Sequence, residues 1–323
     1  MTWLALRQFR AAGAAMAAVV LVLVAVLLAT GLGTTDYTQL DVVYTVTLIG
    51  VTALPVLIAI FVAVPMVTRE LETGTHSLVW NQTVTRKRWL ATKFAVGLPA
   101  AVVAAGALSL AATWWAGPLD AQDAWNADAV PPRISPAVFM ARGLAPFGYA
   151  AFAYALGIAV AVLVRRTVAA MALTLVLFVA VQLAVPFLVR PYLLAPVEET
   201  VAITEANVGE IRGTPDGLES VGVIEPDRAW TLTNETVDAQ GAAVGSLREV
   251  AGLGCLTGPQ PVPPAHESLV GCLVRLDELG YQQRLVYHPD SHFWALHGIE
   301  AGFFLALSAL LAWFSFRRIN HLS

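Results

Sequence analysis

The chain has 323 residues, of which 57% are hydrophobic and only 13% are charged. An average soluble domain is roughly 45–50% apolar and about 25% charged, so this composition excludes an ordinary soluble enzyme. A helix needs about 20 apolar residues to cross a bilayer core of about 30 Å. Six intervals are long enough and almost free of charge, which predicts six transmembrane helices: 11–35, 42–68, 94–119, 143–164, 167–189 and 291–316.

The basic residues predict the orientation. If the N-terminus is cytoplasmic, the short outer loops hold only Arg133 and Arg142, which is the positive-inside pattern. We therefore expect a multi-pass protein of the cell membrane with both termini in the cytoplasm and residues 190–292 extracytoplasmic. The inner segments then hold Arg7, Arg10, Arg69, Arg86, Lys87, Arg88, Lys93, Arg165, Arg166, Arg317 and Arg318.

The N-terminal part of the chain is predicted to be helical throughout. Residues 1–10 mix apolar, basic and amide side chains, as expected of a short helix in the cytoplasmic membrane interface. Only Arg165 and Arg166 separate the fourth transmembrane helix from the fifth, which predicts a tight hairpin. Gln182, in the middle of the fifth, is a candidate for interhelical hydrogen bonding or substrate contact. The five helices of residues 11–189 are placed at about 11–33, 42–67, 94–117, 143–164 and 167–189.

The cytoplasmic loop 68–93 carries the most specific motif. Its Glu72-x-Gly74-Thr75 step can cap a short helix that begins after it. The basic cluster 86–88 can contact anionic lipid headgroups or acidic residues of a partner. By composition alone, an ordinary positive-inside loop is an equally good interpretation. The loop runs Arg69-Glu70-Leu71-Glu72-Thr73-Gly74-Thr75-His76-Ser77-Leu78 and continues through Thr83-Val84-Thr85-Arg86 to Lys93.

Residues 190–292 are predicted to form a small mixed α/β extracytoplasmic domain between the fifth and sixth helices. The domain holds six Arg against fifteen acidic residues, a charge that fits a solvated surface and argues against a nucleic-acid partner. Alternating or β-branched segments predict strands. The expected strands are Val201–Ile203, Val221–Ile224, Trp230–Thr233 and Arg284–Tyr287, and the expected helices are Ser246–Val250 and Glu267–Leu279.

The only two cysteines, Cys255 and Cys272, both lie in this domain. An oxidising compartment permits a disulfide between them. Such a bridge would stabilise the folded chain by roughly 3 kcal/mol in the chain-entropy model. Two unpaired small core residues are the alternative.

The sixth helix, 293–316, precedes a cytoplasmic tail, 317–323, and contains the one acid inside a predicted span, Glu300. An intramembrane carboxylate is costly, which makes Glu300 a functional candidate. His297 lies one turn earlier and could share a proton or a hydrogen bond with it. The alternative is a structural Glu that reaches the interface or ties two helices together.

The loop sequence resembles that of the type-2 ATP-binding-cassette (ABC-2 type) export permeases, a family with six spans and both termini inside. The last span looks particularly like that of actinobacterial members, with Tyr287, Pro289, Ser291 and Trp294 before Glu300. The loop positions that fit the family pattern are Glu72, Gly74, Thr75, Leu78, Val84, Thr85, Arg86 and Lys93.

The resemblance implies an exporter subunit that moves a hydrophobic or amphipathic substrate, such as a drug, antibiotic, lipid or peptide. It also implies pairing with a second permease, either a second copy or a different chain, among membrane lipids. The residues expected to couple the chain to a cytoplasmic ATPase are Glu70, Glu72, Gly74, Thr75, Leu78 and Arg86.

No enzymatic activity is expected of the chain itself. Neither Lys87 nor Lys93 lies in the glycine-rich context of a P-loop, so ATP and Mg²⁺ are expected on a separate ATPase subunit and no cofactor on this chain. The histidines between 288 and 297 fit no established metal site. The competing function is a non-transporting membrane sensor or assembly protein whose acidic outer domain binds a ligand or partner.

Overall fold

The computed structural model describes residues 2–33, 41–74, 85–121, 131–214, 217–250 and 266–321. The chain divides into two compact units: a helical unit, Met1–Leu193 with Phe293–Ser323, and a sheet unit, Leu194–His292. Among the described residues, six helices are long and apolar enough to cross a membrane. The predicted fold class, six membrane helices with a small α/β unit after the fifth, is therefore confirmed.

The helices follow in chain order, and each apolar interval of the sequence forms one. Their bounds are α1 Thr2–Gly33, α2 Asp41–Ile58, α3 Val64–Glu72, α4 Arg86–Ala121, α5 Pro136–Phe139, α6 Ala145–Val164, α7 Thr167–Ala184, α8 His266–Glu278 and α9 Phe293–Arg318. No break separates residues 2–10 from the first span, so they extend α1 instead of forming a separate interfacial helix.

Two of the spans each contain a π-helical turn. The turn Ala59–Ala63 joins α2 to α3 and lies just before Pro65. A second turn, Val185–Val189, contains Pro186 and continues α7 into a 3₁₀ turn, Arg190–Tyr192. A proline cannot donate the helical hydrogen bond and crowds the preceding turn, so a local change of helical register accommodates it.

Helix α6 is the central helix of this unit. It packs against α2, α4, α7 and α9. In its most apolar stretch 83% of the residues are buried, against 50% or less in the corresponding stretches of the other five spans. Small residues allow this close approach. A Cβ at Gly148 would lie 2.9 Å from the carbonyl oxygen of Ala301, and one at Gly157 would lie 3.1 Å from that of Ala59.

The sheet unit contains two antiparallel sheets and helix α8. The strands are β1 Val197–Ala202, β2 Val208–Thr214, β3 Gly217–Val223, β4 Trp230–Val237 and β5 Gln282–His288. One sheet has the order β1-β5-β4, and β2 pairs with β3 in a hairpin. The core is formed by Ile203, Leu218, Val221, Leu247, Cys272, Leu273 and Leu276.

Most of the predicted elements of the sheet unit are present, with two differences. Strand β2 was not expected, and the segment predicted as a helix at 246–250 is only a short 3₁₀ turn, Leu247–Glu249. Cys272 is buried in the core, whereas Cys255 lies outside the described residues. The disulfide therefore stays a prediction.

A buried amide network connects the two sheets. Gln283, on β5, donates to the carbonyl oxygen of Val221 at 3.0 Å and to Oδ1 of Asn234 at 2.8 Å, and it accepts from the hydroxyl of Thr236 at 3.0 Å. The Nδ2 of Asn234 donates to the carbonyl oxygen of Val223 at 2.9 Å. These side chains supply the polar contacts between β3 and β4 that a continuous strand ladder would otherwise provide.

Replacing Gln283 with Leu is expected to loosen this unit. The substitution removes a hydrogen bond from the carbonyl oxygen of Val221, from the hydroxyl of Thr236 and from Oδ1 of Asn234, which still accepts from the N–H of Val223. Each buried polar group left unpaired costs about 1–3 kcal/mol. Deuterium uptake by the amides of β3 and β5, measured in the full-length protein, should rise. The control is Gln282→Leu, whose side chain is exposed on the same strand; equal uptake in the two variants would contradict the role given to the network.

Candidate functional site

The helical unit buries a charge cluster where α3 approaches the start of α4, which we call the loop end. Lys93 Nζ donates to Glu70 Oε1 at 2.8 Å and to the carbonyl oxygen of Met66, and Trp89 Nε1 donates to Glu70 Oε2 at 2.6 Å. The ammonium also lies 4.6 Å from the centre of the Trp89 ring. Removing one partner of such a buried pair leaves an uncompensated charge, so the cluster fixes α3 against α4.

Glu72 connects α3 to a different helix. Its two carboxylate oxygens accept hydrogen bonds from the backbone N–H of Thr167 at 2.7 Å and from the Thr167 hydroxyl at 2.6 Å. Thr167 is the first residue of α7, where unpaired N–H groups and the helix dipole favour a negative charge. The hydroxyl of Thr68 lies 2.7 Å from that of Thr167. The carboxylate of one helix therefore caps the N-terminus of another.

The described part of the loop motif ends one helix and begins the next. Gly74 has φ +69°, directly after Thr73 closes α3 with a hydrogen bond to the carbonyl oxygen of Arg69. A glycine in this left-handed conformation is a common helix terminator. The hydroxyl of Thr85 accepts from the N–H of Arg88 at 3.3 Å, so Thr85 caps the start of α4.

The other predicted coupling residues differ in their placement. Glu70 is buried and faces Lys93, so its side chain positions the loop instead of presenting a charge at the surface. Arg86 Nη1 donates to the carbonyl oxygen of Asn320, just beyond α9, at 3.4 Å. Thr75 and Leu78 lie outside the described residues. Among the residues whose side chains are described, the exposed basic residues of this end are Arg69, Lys87, Arg88, Arg165, Arg166, Arg317 and Arg318.

A second buried cluster lies at the opposite end of the helical unit, around Glu300. Arg190 Nε donates to Glu300 Oε2 at 2.7 Å, and Nη2 donates to Oε1 at 3.0 Å. The hydroxyl of Tyr149, on α6, also donates to Glu300 Oε1. The guanidinium lies 4.1 Å from the centre of the Phe139 ring, on α5. Since Arg190 and Glu300 are both inaccessible to solvent, this is a fully buried, bidentate ion pair.

His297 does not form the expected pair with Glu300. Its Nδ1 accepts from the N–H of Ala145, at the start of α6, at 3.1 Å. Its ring stacks on Phe139 with 3.7 Å between the ring centres. The imidazole therefore contacts α5 and α6, and Glu300 is bonded by Arg190 and Tyr149. Gln182 is half-buried, and its side chain forms no hydrogen bond with any residue that the structure describes.

The sequence analysis identified the acidic residues Glu72 and Glu300 but not the residues that they contact. Arg190 ends an apolar interval and was assigned to the outer domain, and Thr167 was assigned only to the start of a helix. The rule that an intramembrane acid needs a partner was the available signal for Arg190. Among the described residues, no group of three or more His, Cys, Asp or Glu is arranged to hold a metal.

A known protein family matches the part of the chain that contains the loop-end contacts. Residues 33–190 match the family described as "ABC-2 membrane transporter related". The match covers slightly less than half of the chain and supports an ABC-2 type permease. The match to the ABC-2 related family includes both loop-end partnerships and ends at Arg190, so it leaves out Glu300 and the sheet unit. No curated protein and no solved structure matches the chain.

Proposed function

We propose that this chain is the transmembrane permease subunit of an ATP-driven exporter. The family match over residues 33–190 carries the proposal. The anchored loop between α3 and α4 supports it, because a loop that receives force from a cytoplasmic motor has to be fixed to the helices that it moves. ATP and Mg²⁺ are bound by a separate ATPase subunit, and this chain supplies the path.

The transport path is formed with a second permease chain. Helices α1 and α7 support this part of the proposal, since both present rows of exposed apolar side chains that suit lipid or another helix. The path opens alternately to the two sides and accepts a hydrophobic or amphipathic substrate. The exposed basic residues of the loop end face the cytoplasm, and the sheet unit is extracytoplasmic.

Co-purification with a candidate ABC ATPase tests the proposal. The detergent-solubilised permease is expected to retain the ATPase and to stimulate its ATP hydrolysis. Lys87→Glu with Arg88→Glu should weaken retention, because these exposed cations flank the loop. The control, Arg317→Glu with Arg318→Glu, changes the charge equally at the end of α9.

A membrane sensor or assembly protein is the competing function, favoured by the separate, strongly acidic sheet unit. That function requires no motor. A purified permease with no associated ATPase, and with no effect on ATP hydrolysis when the ATPase is added, would count against export and in favour of a sensor.

A further inference from the structure

Helix α7 is held at both ends by carboxylates that belong to two other helices. At its N-terminus, Thr167 donates two hydrogen bonds to Glu72 of α3. Beyond its C-terminus, Arg190 forms the bidentate ion pair with Glu300 of α9. The two attachments are separated by about 35 Å, taking 1.5 Å of helical rise for each residue.

Between these attachments, α7 makes few fixed contacts. Only Ala170, Thr174 and Phe178 are buried within the helix. The hydroxyl of Thr174 has no hydrogen-bond partner among the residues that the structure describes. No side chain of residues 168–189 forms a hydrogen bond or ion pair with another described helix, so packing of apolar groups alone holds the middle of α7.

The far end of α7 contains two changes of helical type. Residues Val185–Val189 form a π-helical turn, and the 3₁₀ turn Arg190–Tyr192 follows directly. Pro186 and Pro191 interrupt the regular hydrogen-bond ladder on either side of the junction. Such changes of helical register often mark hinges. The ion pair therefore lies directly beside a segment in which the helical hydrogen-bond pattern changes twice.

The near end of α7 is attached to the element that continues into the coupling loop. Glu70 is fixed to α4 through Lys93, and Glu72 lies two residues beyond this anchor, immediately before the loop. A force on the loop reaches Glu72 first. Because Glu72 binds the first residue of α7, that force acts on α7 along its axis.

We infer that α7 is the transmission helix of the permease: the Glu72–Thr167 contact at the loop end and the Arg190–Glu300 ion pair at the opposite end are energetically coupled through it. This inference rests on the proposed function for its physiological meaning. Movement of the loop shifts α7, and the shift loosens or restores the ion pair that closes the opposite end. Coupling between two sites is reciprocal, so a change at either end has to be detected at the other.

Hydrogen–deuterium exchange on the permease alone, in lipid nanodiscs, tests the inference without the ATPase. Glu72→Gln is expected to raise the exchange rate of the amides of residues 187–193 at least about fivefold, the lower limit of typical coupling between linked sites. Thr167→Val, a milder change, should produce the same effect to a smaller extent. The control is Glu225→Gln, an identical chemical change at an exposed position of the sheet unit.

The reciprocal measurement uses variants at the opposite end. Tyr149→Phe and Arg190→Lys each weaken the hold on Glu300 while keeping its counter-charge. Both are expected to raise exchange at residues 167–171, and each combined with Glu72→Gln should deviate from additivity, although sites this far apart normally act independently. Unchanged exchange at the distant end in all four variants, or strictly additive effects, would overturn the inference. Because no ATPase is present, that outcome would leave the proposed export function to its own test.

Discussion

Replacing Arg190 with Met is expected to destabilise the helical unit by about 3–5 kcal/mol, the cost of leaving one charge of a buried ion pair without its partner. Glu300 is inaccessible to solvent and would keep only the hydroxyl of Tyr149. The substitution also removes the guanidinium from the face of Phe139. Unfolding of the purified protein in mixed micelles, followed by circular dichroism, measures the loss. Arg318→Met, at the exposed end of α9, is the control and should change stability little.

The double variant Arg190→Met with Glu300→Gln distinguishes a lost ion pair from a lost side chain. Once the carboxylate of Glu300 is replaced by a neutral amide, the absence of the guanidinium no longer leaves a buried charge without a partner. The double variant is therefore expected to be more stable than Arg190→Met alone, by the coupling energy of the pair. Equal destabilisation in the single and double variants would show that packing around Arg190, not its charge, stabilises this end.

The membrane helices could be predicted because a span requires only a long apolar interval, which is a local property of the sequence. The central position of α6 could not. A helix that is apolar on every side carries no periodic signal of which face is buried. Its glycines, Gly148 and Gly157, become informative only when the helices that approach them are known. The π-helical turns also escaped prediction, because prolines are tolerated within membrane helices and do not mark where a span ends.

The candidate site could be predicted one residue at a time but not as pairs. Glu300 stood out because it is an acid within an apolar interval, and Glu72 because it belongs to a recognisable loop motif. Their partners, Arg190 and Thr167, are distant in sequence and have no motif of their own. A polar contact between two helices depends on their tertiary packing, so the sequence around one residue does not show which distant residue it will contact.

The helix predicted to begin after the Glu72-x-Gly74-Thr75 step stays a prediction, because residues 75–84 lie outside those that the structure describes. Glu72 and Gly74 belong to the end of α3. An acidic residue followed by a glycine suits a helix start and a helix end equally well by composition. The carboxylate does cap a helix, but that helix is α7, and α7 starts far away in the sequence.

Strand β2 of the sheet unit was not predicted, because its local sequence does not favour a strand. Gly209, Glu210, Arg212 and Gly213 have low strand propensity, and no continuous apolar side suggested a buried face. Pairing with β3 supplies the stabilisation that propensity does not. Sheet formation therefore depends here on the neighbouring strand more than on the local sequence.

The largest effect at the loop end is expected from Lys93→Met. The carboxylate of Glu70 would then be buried without the ammonium that balances its charge, at a cost of about 3–5 kcal/mol. Lys87→Met, an exposed change in the first turn of the same helix, is the control and should cost little. Mixed-micelle unfolding compares the two variants. Near-equal stabilities would contradict a buried Glu70–Lys93 pair.

A milder change separates the anchoring of the loop from the stability of the fold. Trp89→Phe keeps an aromatic ring beneath Lys93, removes the hydrogen bond to Glu70 and reduces the volume of a buried side chain. The lost hydrogen bond alone is expected to cost about 1.5–3 kcal/mol because the acceptor is charged. The protein should still fold, since the ion pair remains. If the loop transmits force through α3, stimulation of the partner ATPase should nevertheless fall, because the base from which Glu72 acts on α7 is less rigid. Normal stimulation in Trp89→Phe, together with the stability loss, would show that the cluster supports the fold and not the coupling.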